Sequence, residues 1–268
     1  MKGKPPVESL IAHFERYLSY YEAKPPFAKP EQLRTHKKTI DLRRQLGTAS
    51  AALADDRFLD SLAETLKAWG IGSHDAILVK THEFRRQLRN QAEEITALDG
   101  ILIDNADTST GDRLWRIIRS LDIVLGRRAL KPTQSKIVGG SKALHHILPE
   151  LMPPIDRTYT AWFLLRIEAQ HFQNYSQEAE TFRVAFESFR AIAKGANPVQ
   201  YVSRYEWNTS RTKVIDNAIV GFVSGLRDKV KKELMIRCRD DSASSFSSTS
   251  GTGHTNRNQR KEAWTFKI

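Results

Sequence analysis

Apolar residues recur three or four positions apart along most of this sequence, which is the spacing of one face of an α-helix. The spacing is clearest in residues 7–21, where the apolar face consists of Val7, Leu10, Ile11, Phe14, Leu18 and Tyr21. It predicts further helices over about residues 31–45, 56–69, 76–98, 112–124, 140–148, 156–167, 176–194 and 209–236. No segment shows the alternation of apolar and polar residues that is typical of a half-buried strand. The sequence therefore predicts an all-α fold.

Hydrophobic residues make up 40% of the 268 positions, which is enough to form a core. We expect one multi-helix globular domain over residues 5–236. From about Asp240 onward the chain is rich in serine, threonine and glycine and has few core-forming residues. Such a composition does not bury enough apolar surface to fold, so we expect residues 237–268 to form a disordered, basic tail.

The only cysteine is Cys238, which excludes an iron–sulfur cluster, a cysteine-rich zinc site and an intramolecular disulfide. The N-terminal residues lack the apolar segment of a secretory signal, and no run approaches the roughly 20 apolar residues that span a bilayer. We therefore expect a cytoplasmic protein that does not bind membranes. Nothing in the sequence predicts a cofactor or a metal site.

Positive charge is concentrated in two zones of a chain whose net charge is +11. Residues 112–142 contain eight Lys or Arg against two Asp, and residues 29–46 contain six against two acids. Cations placed at phosphates release condensed counterions, so such zones favour nucleic acid, and DNA is the expected partner. Two alternatives remain open, namely ordinary solvated helix faces and a surface that binds an acidic protein partner.

Residues 136–159 contain the most specific pattern. Two adjacent glycines are followed by Ser141 and Lys142, which we interpret as a glycine turn opening a helix. The free backbone N–H groups of such a helix start bind anions. The candidate nucleic-acid-binding residues lie at or just before this turn: Arg127, Arg128, Lys131, Lys136, Gly139, Gly140 and Ser141.

The same segment resembles the core of the helix-hairpin-helix DNA-glycosylase superfamily. Val138-Gly139-Gly140-Ser141-Lys142-Ala143-Leu144 corresponds to the phosphate-binding hairpin of that family, and Pro154-Ile155-Asp156 corresponds to the motif that contains its catalytic aspartate. Val138 stands where the family has the first glycine of the hairpin. Lys142 and Asp156 are 14 positions apart, several fewer than is usual in the family.

The resemblance implies that Lys142 attacks the anomeric carbon of a flipped nucleotide and forms a Schiff base. It implies that Asp156 stabilises the developing positive charge or moves protons, with Tyr159 or Trp162 stacking on the base. The function predicted in this way is a DNA glycosylase or abasic-site lyase. The alternatives are that Lys142 only contacts solvent or a phosphate and that Asp156 only caps its helix, through the N–H of Thr158 or Tyr159. The chain would then be a non-enzymatic interaction protein.

Three smaller patterns give local predictions. His145 and His146 are adjacent, and neighbours on a helix point about 100° apart, so we expect one packed and one exposed ring that do not share a metal. Lys213 and Asp216 have the i, i+3 spacing of an ion pair, directly after a segment, Asn208–Arg211, that we interpret as a helix cap. The tryptophans and phenylalanines fall mostly on apolar helix faces, so we expect them to pack in the core.

Overall fold

The protein is described by a computed structural model, which covers residues 5–27, 29–71, 76–126, 136–165 and 175–246. The terminal segment 247–268 lies outside the described residues. So do three of the predicted nucleic-acid-binding residues: Arg127, Arg128 and Lys131. The chain divides into two compact units, Met1–Leu226 and Arg227–Ile268. In agreement with the sequence pattern, the described residues are mostly α-helical.

The described part of the chain contains twelve α-helices, one 3₁₀ helix (Pro198–Tyr201) and two short strands. The helices are α1 (Val7–Ala12), α2 (Phe14–Ala23), α3 (Pro30–Leu46), α4 (Ala49–Ala54), α5 (Asp56–Ala68), α6 (Thr81–Arg89), α7 (Ala92–Thr96), α8 (Thr108–Ser120), α9 (Ile137–Ile147), α10 (Thr160–Leu165), α11 (Tyr175–Ala196) and α12 (Arg211–Phe246). The strands are β1 (Ala76–Leu78) and β2 (Val124–Gly126). Helix α12 extends to Phe246, ten residues beyond the predicted domain end at residue 236.

The prediction of one long helix over residues 76–98 is wrong, and so is the expectation of no strands. Residues 76–78 form β1, which pairs with β2 in an antiparallel register that places Leu78 opposite Val124. The Val79 N–H extends the pairing by donating to the Ile123 carbonyl oxygen at 3.0 Å. A partner nearly fifty residues away therefore determines this conformation, which local periodicity does not reveal.

Side-chain caps set the start of several helices. The Thr48 hydroxyl accepts a hydrogen bond from the Ala51 N–H before α4, and the Asp55 carboxylate accepts one from Phe58 before α5. Asp107 and Thr110 form a reciprocal capping box before α8. That box satisfies backbone N–H groups that have no partner inside the helix, so α8 begins four residues earlier than the predicted start at Asp112.

The predicted glycine turn is also wrong. Gly139 and Gly140 lie inside the continuous helix α9, where the Gly140 N–H donates to the Lys136 carbonyl oxygen at 2.9 Å. A Cβ atom at Gly140 would lie 2.9 Å from Ile118 Cγ2, so the missing side chain lets α9 pack closely against α8. Gly139, Gly140 and Ser141 are buried, and they are therefore unable to contact a nucleic acid as predicted.

The first half of α12 is almost fully buried. A Cβ atom at Gly221 would overlap the Tyr17 carbonyl oxygen of α2, so only glycine allows these two helices to approach so closely. This packing holds the start of α12, with Lys213 and Asp216, against α2 and α9. Among the described helices, none combines the length and the apolar composition that crossing a membrane requires.

Candidate functional site

A pocket opens between α3, α9, α12 and the loops next to them, and it contains about 400 Å³ of empty space, its open mouth included. Segments far apart in the sequence supply its walls: Phe27, Gln32, Trp69, Lys142, Pro154, Asp156, Trp207, Lys213 and Asp216. Two lysines, two aspartates and three aromatic rings therefore face one space. Lys142 and Asp156, which the sequence singled out, both belong to it.

Lys213 is the most enclosed cation of the pocket, with only 2% of its side chain exposed. Its ammonium donates hydrogen bonds to Asp216 Oδ2 at 2.6 Å and to Asn217 Oδ1 at 2.9 Å. It also lies 5.3 to 6.0 Å from the ring centroids of four aromatic side chains, which we call the lysine cage: Tyr21, Phe27, Trp69 and Trp207. The predicted Lys213–Asp216 ion pair is thus present, but it is buried rather than superficial.

The partners of Lys213 are themselves held in place. Asn217 donates to the Trp207 carbonyl oxygen at 3.2 Å and to Asn208 Oδ1 at 2.9 Å. Burial raises the pKa of Asp216, Lys213 opposes that shift, and the nearby Asp156 carboxylate adds to it. A buried carboxylate is tolerated here because the Lys213 ammonium is bonded directly to it.

Lys142 is the less constrained lysine. It is partly buried, and its ammonium donates to the Trp69 carbonyl oxygen at 3.0 Å and lies 5.8 Å from the centroid of that ring. No carboxylate is bonded to it among the described residues. Burial lowers the pKa of Lys142, whereas the charges of Asp156 and Asp216 act in the opposite direction. Lowering the pKa of an amine increases the fraction that is neutral and nucleophilic.

Asp156 caps the turn that leads into α10. Its carboxylate accepts hydrogen bonds from the N–H groups of Thr158 at 2.6 Å, Tyr159 at 2.7 Å and Thr160 at 3.2 Å. This is the capping role that the sequence analysis held as an alternative. Because Asp156 also lines the pocket, capping and a role at the pocket are compatible.

A chain of hydrogen bonds with fixed direction lies beside the lysine cage. His146 Nδ1 is 2.8 Å from the Lys142 carbonyl oxygen, which only accepts, so this nitrogen carries the proton. Burial lowers the pKa of His146 to about 4, so the ring is neutral and its Nε2 accepts from His36 Nδ1 at 3.0 Å. His36 Nε2 in turn accepts from the Thr209 hydroxyl at 2.8 Å.

His145 is also buried, so the prediction that one of the two adjacent histidines is exposed is wrong. Its Nδ1 donates to the Met152 carbonyl oxygen at 2.9 Å, and its buried Nε2 has no hydrogen-bond partner within the described structure. Its ring stacks on His36, with 5.9 Å between the centroids. No group of three or more potential ligands within the described ranges is arranged to hold a metal ion.

Helix α9 begins at Ile137 rather than at the predicted residue 140, and an acidic side chain binds the N–H groups at this start. The Glu178 carboxylate accepts from the N–H groups of Lys136 and Ile137, each at 3.0 Å. The Lys136 ammonium is paired with Asp122. The end of α9 that we expected to bind a phosphate is therefore neutralised from within the protein.

Tyr159 and Trp162, the rings expected to stack on a base, do not line the pocket. Tyr159 packs edge-on against Phe27, with 6.2 Å between the centroids, and Trp162 packs partly buried against the core. The pocket is instead lined by Trp69 and Trp207, which the sequence pattern assigned to core packing.

No family model matches this chain, and no curated protein or solved structure is significantly similar to it. The geometry alone therefore supports a functional interpretation.

Sequence reasoning missed most of the pocket. One signal for α12 was available, because Lys213, Asp216 and Asn217 are polar positions in an otherwise apolar run. For His36, Trp69 and Trp207 no local signal exists. They come from separate segments, and only the tertiary fold brings them within about 6 Å of one another, with 5.6 Å between the His36 and Trp207 centroids.

Proposed function

We propose that the pocket receives a nucleotide extruded from DNA and that Lys142 forms a Schiff base with its sugar, which is the chemistry of an abasic-site lyase or a bifunctional glycosylase. One observation carries this proposal. Lys142 and Asp156 line the same aromatic-walled pocket, although a proline-containing segment separates them in the sequence. A working pair must reach the same substrate atoms, and a shared pocket meets that requirement.

The aromatic walls support a planar ligand. Phe27, Trp69 and Trp207 line the pocket with ring faces and edges, and stacking of a base on such a ring contributes about 1–3 kcal/mol. Enzymes that act on a base or its sugar extrude the nucleotide into a pocket of this kind. The pocket is open to solvent at its mouth, so a planar group can approach these rings from outside.

The covalent step uses the neutral amine of Lys142. Its lone pair adds to the C1′ aldehyde carbon of the ring-opened abasic sugar, and a proton moves from nitrogen to the former carbonyl oxygen. A second proton, taken from solvent, then allows the hydroxyl group to leave as water, and a protonated imine remains. The lowered pKa of Lys142 supports the first part of this step, because only the deprotonated amine attacks.

Asp156 supplies negative charge beside that imine. Three backbone N–H donors hold its carboxylate in one orientation, so it does not need to reorganise when positive charge develops. Lys213 is a poor nucleophile by comparison, because its ammonium is bonded to Asp216 and Asn217 inside the lysine cage.

The test is borohydride trapping on a labelled duplex that contains one abasic site. Wild-type protein is expected to give a covalent adduct, and Lys142→Ala and Lys142→Arg are expected to lose it by at least about 100-fold, because neither supplies a neutral primary amine at that position. Lys194→Ala, which removes an exposed lysine of α11, serves as the matched control and is expected to keep the adduct.

Circular dichroism of each variant separates loss of chemistry from loss of fold. An adduct that persists in folded Lys142→Ala would contradict the assignment of the nucleophile. Salt-sensitive DNA binding by wild type without any adduct would leave a nucleic-acid-binding module and remove the lyase activity.

A further inference from the structure

We infer that a basic and aromatic groove beside the pocket mouth is the path of the nucleic-acid strand that presents a nucleotide to the pocket. This inference rests on the proposed function and names the surface that the function needs. The groove lies between the segment preceding α3, the first turns of α3, and the loop before α12. Its lining consists of Pro25, Phe27, Lys29, Pro30, Leu33, Arg34, Lys37, Tyr205, Glu206 and Trp207.

The groove and the pocket are continuous. Phe27 and Trp207 line both of them, and their ring centroids are 6.0 Å apart. A strand lying in the groove would therefore lie next to two side chains of the pocket wall. The groove contains about 1000 Å³ of space open to solvent, more than twice the space of the pocket, which suits an extended strand rather than one base.

The charges of α3 point to a polyanion on this side. Three cations line the groove against the single acid Glu206. Lys29 and Lys37 are exposed, and neither has an ion-pair partner among the described residues. Arg34, the third cation, is paired with Glu31 at 2.6 Å.

The other cations of α3 are already neutralised. Lys38 is paired with Glu64, Arg43 with Asp99, and Arg44 with Asp41, at 3.2, 2.7 and 3.3 Å respectively. The unpaired positive charge of this helix therefore lies on the groove side. An unpaired exposed lysine is available to a phosphate without first breaking an ion pair.

The groove also offers aromatic surface. Tyr205 and Phe27 are partly exposed, and Tyr205 packs edge-on to Tyr21 of the lysine cage, with 6.3 Å between the centroids. Cations that follow a backbone and rings on which bases stack are the two components of a single-strand track. Two cations of the described part of residues 112–142 are neutralised instead, because Lys136 is paired with Asp122 and Arg113 lies 3.7 Å from Glu94.

The test compares two double variants that change the net charge equally. Lys29→Glu/Lys37→Glu alters the groove, whereas Lys80→Glu/Lys194→Glu alters exposed lysines outside it. Fluorescence anisotropy measures binding of a labelled single strand and of an abasic-site duplex over a salt series. We expect the groove variant to bind about 10- to 100-fold more weakly and to reduce the salt slope by about 2, because each phosphate contact contributes about one unit. The control variant is expected to change affinity by less than about 3-fold.

A second arm examines the ring. Tyr205→Ala is expected to weaken single-strand binding by about 5-fold or more, and Tyr205→Phe is expected to restore it, because stacking needs the ring and not the hydroxyl. Neither tyrosine substitution changes the surface charge, so a difference in binding between Tyr205→Ala and Tyr205→Phe reports on the ring alone.

The outcomes separate this inference from the proposed function. If the groove variant binds like wild type, or if Arg127→Glu/Arg128→Glu alone abolishes binding, the groove is not the path, whether or not the borohydride adduct forms. If the groove variant binds weakly and wild type gives no adduct, the groove stands and the Schiff-base chemistry fails. Equal loss in the groove and control variants, or no binding by wild type at low salt, overturns the groove.

Discussion

The two faces of α9 differ in the kind of contacts that they make. One face consists of small and aliphatic residues and packs against the core: Gly139, Gly140, Ala143, Leu144 and Ile147. The other face carries Lys142, His145 and His146 and contacts the polar and aromatic side chains around the pocket. Both faces of the helix are buried except at Val138 and Lys142, which are partly exposed.

This contrast shows how a buried polar site is held in a small helical protein. The apolar face fixes the position of α9 through close packing, which tolerates little change in volume. The polar face depends on every donor finding an acceptor, because an unpaired polar group is costly in the interior. We therefore expect the two faces to respond to different perturbations.

Acidification is expected to have the largest effect, and only on the polar face. Burial lowers the pKa of His36 and His145 well below the ordinary value of 6.5 and that of His146 to about 4. Between about pH 6.5 and pH 4 the unfolded chain therefore binds more protons than the folded one, so the free energy of unfolding falls as the pH falls.

Each histidine contributes about 1.4 kcal/mol per pH unit in that window. Asp216, whose raised pKa acts with the opposite sign, offsets at most one proton. We expect a net loss of about 3 kcal/mol in total between pH 7 and pH 5, with a further loss toward pH 4, measured by urea unfolding. His146→Gln should reduce the number of protons taken up on unfolding by about one, which makes the dependence of the free energy of unfolding on pH less steep. His82→Gln, at an exposed position, should leave that dependence unchanged. A stability that is constant over this range would contradict the neutral histidine chain.

Removing the cation of the lysine cage is expected to have the next largest effect. Lys213→Met leaves Asp216 buried without its ion-pair partner, at a cost of about 3 kcal/mol at pH 7. Lys213→Met/Asp216→Leu is expected to recover most of that loss, because no buried charge is then left unpaired. Urea unfolding measures both, with Lys194→Met as the exposed control. A double variant as unstable as the single one would show that the cage depends on packing around the lysine and not on charge.

The apolar face is expected to show the smallest effect. In Gly140→Ala the new Cβ lies 2.9 Å from Cγ2 of Ile118, a stiff β-branched side chain. The resulting overpacking costs about 1–3 kcal/mol, which outweighs the gain in helix propensity of about 1 kcal/mol. Gly225→Ala is the matched control, because its nearest neighbours lie at 3.9 Å and only the propensity gain remains. Thermal unfolding should therefore shift in opposite directions for the two variants. Stabilisation by both substitutions would show that α8 and α9 can move apart at little cost in free energy.

Most of the helices could be predicted from the sequence, because each of them carries its own apolar face. The predicted ranges 31–45 and 176–194 lie within one residue of α3 and within two of α11 at either end. The errors fall where a distant segment sets the local conformation. Strand β1 forms because it pairs with β2, and the glycine pair Gly139–Gly140 lies inside a helix because α8 packs closely against α9 there. Glycine is typical of turns, but it also permits close helix packing, and local sequence does not distinguish the two.

For the candidate site, the sequence by itself pointed to two ionisable residues of one segment that line the pocket. It singled out Lys142 and Asp156, and it predicted the Lys213–Asp216 pair from their spacing on one helix. Such predictions succeed because spacing along a helix sets which side chains meet.

Only the tertiary structure decided that these two pairs share one pocket and that Trp69 and Trp207 are its walls. It also decided that Lys29 and Lys37 of the groove have no ion-pair partner among the described residues. These properties depend on burial and on the nearest partner of each group. Both are set by packing between segments that are distant in the chain.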